Sequence, residues 1–194
     1  MTVIEDRLAQ IEALTLSKGA HDPDGKFCVM EAVAYLAGEP WSDTPDCASP
    51  VIGAFLRSWN DTLSDDDRQN LKRYIPRLVG SKGTPEHEDR RAWMALDWLV
   101  RDYTPAWLRL ARLDVHADIL TALPEFKAGM SVPSVRPAIE AARKDANAAW
   151  AAAWAAAGDA AGDALRPTVE ALQESAHRLV DRMLDVGGEG DHAE

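Results

Sequence analysis

The sequence predicts an all-α protein, a helical bundle, on three observations. Apolar residues recur at helical spacing along most of the chain. Prolines and capping residues punctuate those stretches where helices would start. Alternating β-branched runs, and Asn-Gly or Asp-Gly turns between apolar runs, are lacking.

The elements follow in order. Over 2–16, Ile4, Leu8, Ile11 and Leu14 share one helical face. Ser17 to Lys26, rich in Gly, Asp and Pro, reads as a polar turn. FCVMEAVAYLA (27–37) reads as a short buried helix stopped by Gly38 and Pro40. The stretch 38–50 holds three prolines and reads as an ordered loop. Pro50 suits a first helical position and opens a helix to about Leu63. Ser64 with Asp67 resembles a capping box for the next helix, which runs through RQNLKRYI to a kink at Pro76. Thr84-Pro85, with Glu86, Glu88 and Asp89 at the positive dipole end, starts another. That helix carries Trp93, Leu96, Leu99 and Val100 on one side. Thr104-Pro105 repeats the signal and opens AWLRLARL, and Asp114 caps VHADILTAL.

These elements predict a compact helical body over 1–123 and a connector over 124–134. An Ala-rich helical arm follows over 135–186, packing on the body or on a second copy. Residues 187–194 form a disordered tail. The arm contains a four-residue repeat, NAAW-AAAW-AAAG-DAAG, and Ala is the best helix former. Pro167 makes the arm a bent helix or a helix pair. Beyond it, Val169, Leu172, Ala176, Leu179, Met183 and Val186 alternate spacings of three and four, a heptad seam.

At 194 residues the chain can bury a sizeable core. Hydrophobic residues at 46% and charged residues at 27% argue against global disorder. Its formal charge of −11 works against attraction to nucleic acid or anionic lipid. No basic head with an apolar run marks a secretory signal at Met1–Leu16, and no segment reaches the ~20 apolar residues of a membrane span. A cytoplasmic protein is expected, with Cys28 and Cys47 reduced.

Chemistry-bearing residues concentrate over 21–47. A metal site there would use His21, Cys28 and Cys47 with Asp43 or Asp46 as fourth ligand, and zinc accepts such donors. The paired Cys-x-x-Cys spacing of structural zinc sites is missing, so no cofactor is expected. A catalytic reading would make Cys28 the nucleophile near a helix N-terminus, His21 the base, and Glu31 the orienting group. Oxidation could instead join Cys28 to Cys47. The bland reading makes Cys28 a small core residue and Cys47 a loop thiol.

Elsewhere, Trp93, Trp98 and Trp107 with Asp97 and His87 could line a pocket, but Trp at helical spacing reads first as core. Asp65-Asp66-Asp67 reads as a solvated helix start. Arg68, Lys72, Arg73 and Arg77 make a basic cluster diluted by acidic neighbours, a poor nucleic-acid patch. Trp150, Trp154, Gly158 and Gly162 are spaced by four and form one ridge, half bulky and half notched. Two antiparallel copies would set Trp150 against Gly162 and Trp154 against Gly158, which is the self-complementarity a homodimer needs.

CVMEAVAYLAGEPWSDTPDC, followed by PVIGAFLRSWND, resembles a family of uncharacterised proteins of actinobacteria and their phages. RRAWMALDWLVRDYTPAWL and the Ala/Trp/Asp repeat before PTVEALQ are similar to it too, so the likeness spans residues 15–186. The resemblance implies a phage or bacterial accessory protein and supplies no reaction or ligand. The expected function is therefore a non-enzymatic interaction protein. It would self-associate or bind a host or phage protein, in one version as an acidic inhibitor that mimics DNA. The alternative is a small metal- or thiol-dependent enzyme centred on His21, Cys28 and Cys47.

Overall fold

The computed structural model describes residues 3–22, 25–128 and 161–187. Among them every extended element is helical, apart from one parallel bridge between Leu16 and Phe27. The chain divides into two compact units, Met1–Arg91 with Met183–Glu194, and Ala92–Arg182. No described helix is long and apolar enough to cross a membrane.

The first unit is built around α2 (Val29–Ala37), which packs against α1 (Glu5–Ala13), α3 (Pro50–Thr62) and α5 (Ile75–Leu78). Val29, Ala32, Val33 and Leu36 of α2 are wholly buried, as are Ile52 and Leu56 of α3 and Leu78 of α5. A helix this apolar all round can only sit inside a core. Gly38 ends it in the left-handed region at φ 73°, the conformation glycine adopts without strain. The predicted helix at 27–37 starts two residues later, because Cys28 is extended and caps it. Phe27 lies outside, where its carbonyl accepts from Ser17 N–H at 2.7 Å.

Pro50 opens α3 in its first turn, and Ser49 Oγ caps it by accepting from Ile52 N–H at 3.2 Å. Ser64 caps α4 (Asp65–Gln69) as its spacing predicts. Its Oγ accepts from Asp67 N–H at 3.1 Å and donates to Asp67 Oδ2 at 2.7 Å. A 3₁₀ segment, Asn70–Tyr74, then leads into α5, whose first turn takes Pro76. The segment therefore tightens where a kink was expected, since a proline in a first turn costs no helical bond.

Helix α6 (Pro85–Trp98) begins at Thr84-Pro85, with His87 N–H donating to Thr84 Oγ1 at 3.3 Å. The second cap-plus-proline signal also marks a helix start, with Pro105 in the first turn of α7, but Thr104 does not cap it. Leu99–Tyr103 is a π turn that carries α6 directly into α7 (Thr104–Leu110). Thr104 N–H bonds back to Leu99 O, and Thr104 Oγ1 donates to the same carbonyl at 2.7 Å. Widening one turn lets the helix pass Pro105, which has no N–H to give. Asp114 is likewise no cap. Helix α8 (Asp114–Thr121) has Leu113 at that position and no side-chain cap bond.

In the second unit Val100, Leu108, Ala117, Leu120 and Phe126 form a buried cluster, with Trp93 and Leu96 packed against it. Leu99 is the exception to the predicted face, at 46% exposed. Six residues after Trp93 it lies about 120° around the helix. The last described helix, α9 (Ala161–Asp185), runs through Pro167 as one element. A second helix is not needed there, although Pro167 leaves one carbonyl of the preceding turn without its helical donor. Of the seam residues Leu172, Ala176, Leu179, Met183 and Val186 are buried, and Val169 is half-buried. Trp150, Trp154 and Gly158 lie outside the described residues, as do most of the connector and the tail. Gly162 falls in the first turn of α9.

Two buried arginines close helix ends. Arg68 gives Nε to Asn60 O at 2.8 Å and Nη2 to Leu63 O at 2.7 Å, at the carboxyl end of α3. Arg91 gives Nε to Met183 O at 2.9 Å and Nη2 to Val186 O at 3.0 Å, at the end of α9. Helix C-termini leave four carbonyls without internal donors, and a guanidinium offers five N–H groups in a fixed plane. Arg91→Met should lower urea stability by about 3–5 kcal/mol, the cost of breaking a buried ion pair. Arg178→Met, in an exposed pair with Glu174, should change it by less than about 0.5 kcal/mol. Equal losses would show that burial of Arg91 is not what matters.

Candidate functional site

The residues over 21–47 were the sequence's first candidate. Glu31 lies in the first turn of α2 and is 1% exposed. Its Oε2 accepts from Cys28 N–H at 2.7 Å and meets His21 Nδ1 at 3.0 Å, and its Oε1 accepts from His21 N–H at 2.6 Å. Cys28 Sγ in turn accepts from Glu31 N–H at 3.5 Å. This is a capping box with cysteine in the place of the usual serine or threonine. Val29 N–H is taken by Asn60 Oδ1 at 3.3 Å, so the amide ends of α2 are supplied with acceptors by side chains.

The electrostatics follow from that geometry. Burial pushes the Cys28 thiol up to about 12, and the Glu31 carboxylate adds to it. Burial works to raise Glu31 as well, but the N–H groups of Cys28 and His21 outweigh it and hold the carboxyl below its usual value. A nucleophilic cysteine needs the reverse environment, electropositive and partly open.

Three of the candidate residues, His21, Cys28 and Glu31, are thus brought together, and the arrangement does the work of a helix cap. The other three, Asp43, Asp46 and Cys47, are engaged elsewhere. Asp46 N–H donates to Glu39 Oε2 at 2.7 Å. Asp43 sits 3.8 Å from Arg57 Nε, and Arg57 Nη1 also donates to Asp43 O at 2.9 Å. Cys47 is buried and its thiol is pushed up by burial, with the Glu39 carboxylate adding to the effect. Its carbonyl accepts from Lys82 N–H at 3.1 Å. Both cysteines are free thiols, so the two do not form a disulfide. Among the described residues no three His, Cys, Asp or Glu side chains are grouped to hold a metal ion.

The tryptophan set is packed rather than gathered around a pocket. Trp98 Nε1 donates to Ser175 Oγ at 2.9 Å, and its ring lies 5.2 Å from that of Tyr103. Asp97 accepts from Arg101 Nη1 at 3.0 Å and Phe126 N–H at 2.9 Å. His87 belongs to the first unit, where its Nδ1 accepts from Thr84 N–H at 3.4 Å. The basic cluster is dispersed in function. Arg68 is buried at a helix end, Lys72 donates to Glu12 O at 3.2 Å, Arg73 lies over the Tyr74 ring, and Arg77 pairs with Asp185 at 3.2 Å.

Sequence reasoning missed Asn60 and Arg91, and it read Glu88 as a helix-start charge and Arg68 as part of a surface cluster, not as buried partners. Glu88 Oε2 accepts from Ser49 Oγ at 2.5 Å, and its Oε1 accepts from Gly83 N–H at 3.0 Å and Arg91 Nη1 at 2.5 Å. The Glu88/Arg91 spacing of three was the one available signal, and it says nothing of burial. Comparison of the chain with protein-family models, curated proteins and solved structures gave no match.

Two outcomes are expected here. At pH 7 Cys28 should hold on the order of a thousandfold less thiolate than a free cysteine. Iodoacetamide labelling of the folded protein, read by mass spectrometry, should therefore leave it intact while a model thiol is consumed. Rapid labelling at Cys28 would revive the nucleophile. Glu31→Gln should cost about 2–3 kcal/mol at neutral pH, as expected for bonds to a buried charge. A carboxyl with a lowered folded pKa stabilises above its unfolded value, and that benefit disappears as pH falls through the folded one. The gap between wild type and E31Q in urea melts should hence be full near neutrality and shrink in acid. A gap independent of pH would mean the charge is not involved.

Proposed function

We propose that this chain is a non-enzymatic helical interaction protein of the actinobacterial or phage family it resembles. It docks a host or phage protein on the outer face of α8. The observation that carries this reading is the exposure of that face. Val115 is 71% exposed and Ile119 47%, and they lie one turn apart. Asp114 and Asp118 form a second exposed row beside them. An apolar row edged by carboxylates fits a partner with an apolar patch edged by Lys or Arg. The chain's charge of −11 would speed such an encounter. A second copy of the same face would bring like charges together, which disfavours self-association there. Asp118 also pairs with Arg109 of α7 at 3.0 Å, with both side chains exposed.

The buried, cap-engaged state of Cys28 supports this reading over the thiol-dependent alternative. Its test uses a labelled Leu/Lys amphipathic helical peptide and fluorescence anisotropy. The wild type should bind and lose affinity between about 50 and 500 mM salt. V115S/I119S should bind at least about tenfold more weakly, since burying each side chain is worth ~1.5–3 kcal/mol. L8S, which alters an exposed leucine of the first unit, should bind as wild type does. Equal binding by V115S/I119S would sink the proposal. A doubled mass in light scattering that this variant abolishes would replace the basic partner with a second copy.

A further inference from the structure

Among the described residues every positive φ but one belongs to a glycine. Gly19, Gly25, Gly38, Gly80 and Gly187 take such positions, and the exception is Arg112, at φ 61° in the turn between α7 and α8. We propose that Arg112 is a specificity-determining residue of the α8 docking face, and that its guanidinium receives the carboxyl-terminal end of a partner helix. The inference rests on the docking reading above and adds the direction in which the partner lies.

The backbone alone would choose glycine at 112. Arg112 N–H donates to Arg109 O at 3.0 Å and Leu113 N–H to Leu108 O at 2.9 Å. Those two bonds close a helix end around a left-handed residue, the position most often filled by glycine. Glycine takes it without the crowding that a Cβ meets there. The arginine is therefore kept at a conformational cost, and no contact inside the chain offsets it. Its side chain is exposed and has no hydrogen-bond or ion-pair partner among the described residues. Arg109, one turn earlier, differs in being paired with Asp118.

Its place in the chain says what it would meet. Arg112 comes two residues before Asp114 and three before Val115, so its Cα is at most about 8 Å from that of Asp114. A cation thus stands at the amino end of the docking face, and an exposed carboxylate follows it. A partner helix that sets a Lys or Arg against Asp114 needs the opposite polarity beside Arg112. The carboxyl end of a helix has it, because its last carbonyls lack internal donors and carry the partial negative charge of the macrodipole. Guanidinium groups already meet that need twice within this chain, Arg68 on Asn60 O and Leu63 O, and Arg91 on Met183 O and Val186 O. The partner helix accordingly runs antiparallel to α8.

The test uses two labelled Leu/Lys helical peptides of one composition, acetylated and amidated. One carries a Glu-Glu pair at its carboxyl end and the other at its amino end. Their affinities for the full chain are read by fluorescence anisotropy in about 50 mM salt. Relative to R112Q, the wild type should favour the carboxyl-end form at least about fivefold. R112G should lose the same preference while its melting temperature rises by about 2 °C, since glycine relieves the left-handed residue. V115S/I119S should weaken both peptides. Equal ratios in wild type and R112Q, or a shift toward the amino-end form, overturn the inference and leave the docking face standing. A lower melting temperature for R112G overturns the argument that arginine is kept there at a cost. Binding of neither peptide removes the docking face itself, and this inference with it.

Discussion

Helices end with carbonyls that point at nothing, and in this protein two buried guanidinium groups answer that need. Arg68 at the end of α3 and Arg91 at the end of α9 are 4% and 3% exposed at the side chain. Each also meets one carboxylate, Asp65 or Glu88, at 2.5 Å. Neither charge could stay buried without those partners, and neither helix end could be enclosed without the donors. Lysine would not substitute, because its single ammonium cannot reach separate carbonyls in one plane. Through Glu88 the same interaction extends to Ser49, the cap of α3, and to the Gly80–Thr84 loop. The Gly80–Thr84 loop, the cap of α3 and the α9 end are therefore tied together by the Arg91–Glu88 pair.

The amino end of α2 shows the complementary solution. There the orphan groups are N–H donors, and Glu31, Cys28 and Asn60 supply the acceptors. A cysteine, a histidine and a glutamate in contact look like catalytic parts. Their chemistry depends on where the protons sit. The thiol is buried beside a carboxylate and keeps its proton, while the carboxylate collects donors and keeps its charge. A nucleophile would need the opposite polarity.

Local surface chemistry is set by near neighbours, because fields between exposed charges are short-ranged in salt. The outer face of α8 sets Val115 and Ile119 beside Asp114 and Asp118, in the unit Ala92–Arg182. An open cleft lined in part by Arg77, Lys82 and Arg91 belongs to the other unit. Each surface is legible only from its own neighbourhood.

The helical class was readable in the residues, because periodicity and capping act within a turn or two. Pro50, Ser64-Asp67 and Thr84-Pro85 start helices as their local chemistry requires, and the seam from Leu172 to Val186 is buried as its spacing implies. At Thr104 and Asp114 the same signals mark the right starts but the wrong caps. Both residues lie inside the first turn, Thr104 bonds back to Leu99 O across a π turn, and neither helix has a side-chain cap bond. Nothing within a turn could show that Arg91 binds carbonyls 92 and 95 residues away, or that Asn60 reaches Val29. A polar side chain is buried only if distant parts of the chain satisfy it, so its role is decided by the tertiary structure. The sequence by itself determined which stretches are helices and which faces are apolar. The fold decided which charges are enclosed and which cysteine is a cap, because desolvation and long-range hydrogen bonds exist only once the chain has closed on itself.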